Sequence, residues 1–426
     1  MGAALSSAGV RRTAIWGGFA MLLLGAPLVF TSSLSQTLLS QMGIAIIVCL
    51  SYNMLLGQGG MLSFGHAVYS GMGAFLAIHT LNRVSEGWPL PVSLIPLVGG
   101  AASLALALLL GWVTTQKAAT PFAMITFGMG ELVWAVALMF PGFFGGEAGV
   151  SGNRVAGSHP FGISYGPQIQ LYYLIATYTL ACTALMFAFT RTPLGRMLNA
   201  VRDNPERVAF VGYNPQMVRY LAFASSAFFA GISGGLAALN FEMVTAEVLS
   251  GYRSGAYLLF TVLGGSTYFF GPIIGAVLMV LAFVLLSALT RAWLLYLGLT
   301  FVVMVMFAPG GVASLVMANW RLARHGVLRR LGWSYWVLAL AALPALGGFA
   351  AAVEMVYHLQ QVATLGPELP FLASSLHVDR LNHWLLVAAI LLAGCVVFEV
   401  ARRRFVRHWN QVQQDMTSAA RQQEAL

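Results

Sequence analysis

The sequence predicts an all-α polytopic membrane protein of about ten to twelve transmembrane helices, some of them broken or re-entrant. Three observations carry the membrane reading. Of 426 residues, 59% are hydrophobic and only 8% charged, whereas a soluble domain carries about 25% charged residues. Apolar runs recur along the chain, most near the roughly twenty residues needed to cross a hydrocarbon core. The arginines gather in the short gaps between runs, so the net charge of +9 reads as topology and not as a nucleic-acid footprint.

In chain order the runs fall near 14–31, 36–56, 61–81, 89–113, 121–140, 170–190, 216–240, 254–266, 268–289, 293–309, 333–356 and 382–401. The run 254–266 is short enough for a half-helix or a re-entrant segment. Arg11 and Arg12 precede the first run, which ends in Phe30-Thr31-Ser32-Ser33 without a small-x-small cleavage site. That run is expected to stay as a signal-anchor. Cys49, Cys182 and Cys395 lie inside apolar runs and read as core or lipid-facing residues, not as disulfides or metal ligands. With 254–266 counted as a crossing, Arg11–Arg12, Lys117, the segment 191–219, Arg321 to Arg330 and Arg402 to Arg407 all fall on the cytoplasmic side. The loops 141–169 and 357–381 then face outward, and both termini are cytoplasmic.

Two stretches break the pattern. Between Asn53 and Ala77, Gly57, Gly59, Gly60, Gly65, Gly71 and Gly73 are too dense for an ordinary span. Gly57-Gln58-Gly59-Gly60 predicts a broken helix, whose freed backbone groups need protein or water partners. Gly65, Gly71 and Gly73, with Ala67 and Ala74, leave a small-residue face for a neighbouring helix. Close packing alone accounts for the second cluster; a break with exposed helix ends is how transporters meet polar cargo. His66, among these glycines, reads as a hydrogen-bonded packing residue.

The second stretch is a basic island, Arg191 to Arg219. Thr192-Pro193, Asn204-Pro205 and Asn214-Pro215 each set a good N-cap residue before a proline at the first helical position. Leu194, Met197, Leu198 and Val201 fall at i, i+3, i+4 and i+7, forming one apolar stripe, with Arg196 and Arg202 mainly away from it. Gly212 is placed to end the second short helix. Such a pair of amphipathic helices is built to be gripped from outside the membrane. A solvated basic loop obeying the positive-inside rule accounts for the same composition.

Several of these residues carry a family resemblance. Leu55-Leu56-Gly57-Gln58-Gly59-Gly60-Met61-Leu62-Ser63-Phe64-Gly65-His66-Ala67 resembles the signature of permease subunits of branched-chain amino-acid ABC importers. Further similar elements follow in order. They are Pro121 to Phe127 with Thr126, then Glu131; Gly145-Gly146-Glu147-Ala148-Gly149 in a glycine-rich loop; Gly195-Arg196, Ala200, Arg202, Ala209, Gly212 and Arg219; and Val262 to Gly265 with Gly271 to Ala276. The first two place the likeness with the LivM-type subunit. The resemblance covers about residues 36–315. Val208-Ala209 stands where the family often has a paired Ala-Ala, and only Glu147 remains of two acids common after Gly-Gly.

The resemblance implies a permease subunit of a binding-protein-dependent importer of branched-chain amino acids or related small polar or amphipathic solutes, not an enzyme. Relatives also serve urea, short amides and aromatic acids, and specificity resides largely in a separate receptor. No G-x-x-x-x-G-K-[ST] occurs, so ATP and its magnesium are expected on two partner ATP-binding subunits, with no cofactor in this chain. The further partners implied are a second homologous, LivH-like permease, an extracytoplasmic solute-binding protein and the bilayer of the bacterial cytoplasmic membrane. Gly195, Arg196, Met197, Leu198, Ala200, Val201, Arg202, Ala209 and Gly212 would form the ATPase-coupling loop. Met197, Leu198 and Val201 would be its anchors buried in the partner. Gly57, Gln58, Gly59, Gly60, Ser63, Gly65, His66, Thr126 and Glu131 would form the helix break and translocation path. Gly145, Gly146, Glu147 and Gly149 would face the receptor. An ion-coupled secondary transporter is the alternative, with Glu131, His66, Glu354 and Glu399 as its sparse ionisable candidates. A membrane enzyme finds no H-E-x-x-H. The domains expected are 1–35, a tail and first helix; 36–319, the permease core; and 320–426, an extension with two spans, one interrupted by Pro344, and a cytoplasmic tail.

Overall fold

The computed structural model describes residues 2–155, 163–324, 328–359, 368–371 and 374–424. They divide into two compact units, 1–286 with 300–314, and 287–299 with 315–426.

The first unit opens with α1 (Gly2–Val29) and α2 (Ser33–Asn53), which continues as a π-helical turn, Met54–Gln58. There follow α3 (His66–Ser85), α4 (Ile95–Thr114), α5 (Ala119–Met139), the short α6 (Pro141–Phe144), β1 (Val150–Ser151) and α7 (Gln168–Phe189). Next come α8 (Pro193–Asp203), α9 (Pro205–Phe210), α10 (Pro215–Phe241), β2 (Met243–Val244), α11 (Gly251–Gly264) and α12 (Gly271–Leu281). A π-turn, Ala282–Leu286, leads from α12 to α13 (Ser287–Leu289). Then α14 (Trp293–Phe307) and α15 (Gly311–Arg324) each contribute residues to both units, and α16 (Leu328–Leu359), β3 (Glu368–Phe371), β4 (Ser374–His377) and α17 (Leu381–Glu424) complete the second. Among the described residues eight helices are long and apolar enough to cross a membrane, or nine if α14 and α15, bent by 52°, form one span. With α1, α3 and α11 added, every apolar run of the sequence is a helix. At 14 residues, α11 rises only about 21 Å.

α10 organises the first unit. It packs against α2, α3 and α4, and 78% of its most apolar window is buried against 28% for α5. The reason is side-chain size. A Cβ on Gly73 of α3 would lie 2.5 Å from the carbonyl oxygen of Gly231 in α10, and one on Gly231 would lie 2.5 Å from that of Gly99 in α4. Three backbones therefore meet where any side chain would part them. Around them Phe223 stands edge-on to Tyr69 and Phe122, with ring centroids 5.2 and 5.9 Å away. The antiparallel ribbon β1–β2 pairs Val150 with Val244 and Ser151 with Met243, tying the glycine-rich loop to the segment after α10.

In the second unit α16 and α17 run antiparallel in close contact, with Gly348 against Leu391 and Gly394 against Ala345. Pro344 does not interrupt its run: α16 stays helical through it. In hydrocarbon, leaving the helix strands more backbone groups than the one donor that proline lacks. Thr290 donates to Glu354, and Tyr296 stands edge-on to Phe349. The expected loop 357–381 holds an antiparallel hairpin, β3–β4; residues 360–367, 372 and 373 lie outside the described residues.

Candidate functional site: a broken helix seated on an amphipathic island

The helix that begins at Ser33 ends at the π-turn, and the chain is non-helical from Gly60 to Gly65 before α3 starts. Gly60 makes the break possible, with φ of +62°, a left-handed conformation that side chains resist. Several of the freed backbone groups find partners nearby. The Gly60 and Met61 amides donate to Leu56 O and Leu55 O. Phe64 N donates to Thr126 Oγ1 at 3.2 Å, and Tyr52 OH donates to Ser63 O at 2.8 Å. At the start of α3, Ala67 N donates to Ser254 Oγ of α11 at 2.9 Å. Ser226 Oγ of α10 donates to Ser51 O at 2.6 Å. His66, fully buried, pairs its Nε2 with Ser51 Oγ at 2.9 Å and stands edge-on to Tyr52. Polar capacity is left over here: Asn53 Oδ1, Gln58 Oε1, Ser63 Oγ and His66 Nδ1 are buried without a hydrogen-bond partner.

The island lies directly against this break. All three proline-led starts are helix N-termini. Thr192 Oγ1 accepts from Gly195 N, Asn204 Oδ1 from Arg207 N, and Asn214 Oδ1 from Gln216 N and Met217 N. Gly212, φ +93°, follows the end of α9. The stripe, however, faces inward. Leu198 and Val201 are 0% and 4% exposed, packed with Leu55, Met61, Phe122 and Phe223. Expected anchors for a partner, they are core residues of this chain, because the break opens an apolar hollow that α8 fills. Met197 and Leu194 are half-buried against the same cluster. A Cβ on Gly59 would lie 3.2 Å from Leu198 Cδ1, and one on Gly60 would lie 2.8 Å from Arg202 Cγ. Arg202 Nη1 donates to Gly57 O at 2.5 Å, so an arginine of the expected coupling loop satisfies a carbonyl freed by the break. It also pairs with Asp203 at 3.1 Å.

The island's open face lies further on. Phe210, Val211 and Tyr213 are 89%, 69% and 49% exposed, with Arg196, Arg207 and Ala209 exposed as well. Sequence reasoning passed over this apolar cluster because it obeys no helical period; it sits at the end of α9 and in the turn after it.

The remaining candidates are spread out. Gly65 lies against the Thr126 carbonyl, with no room for a Cβ, so Thr126 braces the break. Glu131 lies beside Gly251, the first residue of α11, where a carboxylate suits the positive end of the helix dipole. Gly145, Gly146 and Gly149 all have positive φ, and Glu147 is exposed. The residue missed there is Arg154. Its guanidinium donates to Leu239 O, Asn240 O, Gly166 O and Gln168 Oε1, and its amide to Glu242 Oε1. It thereby closes the C-terminus of α10 onto the glycine-rich loop.

Residues 34–308 match the family described as branched-chain amino acid transport system / permease component. The high-affinity branched-chain amino acid transport system permease protein LivM of Salmonella typhimurium is 28% identical over 300 residues, covering 66% of this chain and 70% of that protein. LivM of Escherichia coli is 26% identical over 300 residues with the same coverage. No solved structure matches.

Proposed function

The chain belongs to the branched-chain amino-acid transport permease family, and from that premise we propose that it forms one half of the membrane path of an ATP-driven importer. Its solutes are branched-chain amino acids or related small amphipathic molecules. Its partners are a LivH-like second permease, two ATP-binding subunits that hold ATP and magnesium, and an extracytoplasmic solute-binding protein. The protein sits in the bacterial cytoplasmic membrane with both termini and the island inside, which places the glycine-rich loop and the β1–β2 ribbon on the receptor side.

The observation that carries the reading is the seating of the island on the break. A partner that gripped Phe210, Val211 and Tyr213 from the cytoplasm would move α9 and α8 together. Leu198 against Gly59 and the Arg202–Gly57 bond would pass that displacement into residues 57–65. There the unpartnered Asn53, Gln58, Ser63 and His66 atoms offer polar contacts to a passing solute or its water. Exposed apolar side chains supply affinity at such a dock, and Arg196 and Arg207 supply register.

Two measurements test this. Alone in liposomes the chain takes up no solute with or without ATP, and the assembled complex takes it up only with ATP. Uptake by the lone chain driven by a proton or sodium gradient would overturn the importer reading. Within the complex, Phe210→Asp with Val211→Asp abolishes co-purification of the ATP-binding subunits while the permease still inserts. Undiminished co-purification would remove the island from the coupling role.

A further inference from the structure

A second feature lies at the end of α10 remote from the island. A cavity of about 140 Å³ opens between α2, α3, α10, α11 and α12. Its walls are mostly hydrocarbon, with Ile44, Val48, Val244, Met279 and Val280 among them, and the small Ala45, Ala74, Ala237 and Ala238 leave the space. One charged residue lines it, Arg253, together with Gln41, Ser70, Ser233 and Tyr257. The Arg253 amide is occupied, donating to Ser250 Oγ in the N-cap of α11. Ser70 Oγ donates to Ala67 O and towards Tyr257 OH at 3.4 Å, and Ser233 Oγ donates to Ala230 O. The Tyr257 phenol adds a second donor to the lining. Among the described residues no acidic side chain lines the cavity, so Arg253 has no counter-ion in its lining.

Arg253 is half-buried, and a cation in a mostly apolar cavity is costly unless an anion joins it. A guanidinium with a phenol beside it matches a carboxylate, which it can hold through two parallel bonds. The space beyond suits a short aliphatic tail, since an apolar cavity of about 150 Å³ takes up a molecule as large as benzene. The lining provides only neutral acceptors for an ammonium group, from Gln41 and the serines.

We propose that this cavity is a transit site for the carboxylate end of an amphipathic solute, with Arg253 as counter-ion, Tyr257 as second donor and the α2–α12 wall receiving the apolar tail. The site rests on the importer reading and adds to it a selection inside the permease, after release from the receptor: a small monocarboxylate with an aliphatic tail passes, and its amide is disfavoured.

The test uses the assembled transporter in proteoliposomes, with Cys395→Ser removing the exposed native thiol and Ala237→Cys placing one in the cavity wall. A small thiol reagent should label Cys at position 237. Leucine and isovalerate should each slow that labelling at least fivefold, and leucinamide should not. Arg253→Gln should abolish the protection and raise the KM for leucine uptake at least tenfold while receptor-stimulated ATP hydrolysis continues; Arg253→Lys should recover part of both. If the Arg253→Gln complex fails to assemble, the comparison of acid with amide in the Ala237→Cys protein decides alone. Equal protection by all three compounds, or by none, overturns the proposal. So does labelling blocked by vesicles of anionic lipid and indifferent to leucine, since the guanidinium would then hold a lipid phosphate. ATP-driven leucine uptake by the unsubstituted complex is measured first. Its absence counts against the importer reading, whereas normal uptake without protection removes only the site.

Discussion

Single residues hold the broken helix against the island. At Gly60 the positive φ costs any other residue about 1–2 kcal/mol, and a Cβ would press on Arg202 Cγ at 2.8 Å. Gly60→Leu should therefore abolish uptake while the protein still enters the membrane, since insertion follows summed apolarity. Uptake assays beside membrane fractionation check this, and normal transport would mean that the break is not part of the path. Arg202 is the complementary case. Its guanidinium bonds the Gly57 carbonyl, and leaving such an acceptor unpaired costs on the order of 1–3 kcal/mol. Arg202→Ala should lower ATP-driven uptake severalfold without releasing the ATP-binding subunits, because Phe210 and Val211 remain in place. Loss of the subunits from purified Arg202→Ala complex would show that this arginine docks the partner instead.

At the scale of elements, α8 and α9 divide the labour that one amphipathic stripe was expected to do. α8 is sealed into the chain by Leu198 and Val201, and α9 with its following turn presents the open face. The two ends of the island should thus respond differently to the same change. Leu198→Asp sets an uncompensated charge beside Leu55 and Phe122, costing roughly 3–5 kcal/mol, and should lower the yield of folded, monodisperse permease. Phe210→Asp, on a side chain 89% exposed, should leave that yield unchanged and lose only the partner. Size-exclusion profiles of the two variants, with and without the ATP-binding subunits, separate these effects. Identical behaviour would put both residues in one role. Legibility follows the same division. Thr192-Pro193, Asn204-Pro205 and Asn214-Pro215 announced their helices because capping is a local interaction. Which way Leu198 faced was not local, since burial in a partner and burial in this chain leave the same 3.6-residue period.

For the molecule as a whole, the unit formed by 1–286 with 300–314 contains the break, the island and the Arg253 cavity. A chain ending after Arg324 should still bind the ATP-binding subunits and support some uptake. Its thermal midpoint should fall, because Thr290 and Tyr296 lose Glu354 and Phe349. A normally expressed truncation that neither assembles nor transports would make the extension part of the core. The grouping of 287–299 with the extension was hidden in sequence, where those residues continue the apolar rhythm of the preceding spans.

Much of this protein was determined by the sequence alone, wherever the physics acts over one helical turn or one bilayer crossing. Apolarity summed over about twenty residues specifies spans, proline and glycine mark where helices start and break, and the ordered motifs assign the family. The tertiary structure decided what depends on contacts between segments far apart in the chain. Arg202 meets Gly57 across 145 residues of sequence and Ala67 meets Ser254 across 187. Arg253 stands in a cavity with residues as distant as Gln41. No local propensity encodes such meetings. Glycines on α3, α4 and α10 let three backbones touch, and that close approach fixes which of their faces are buried.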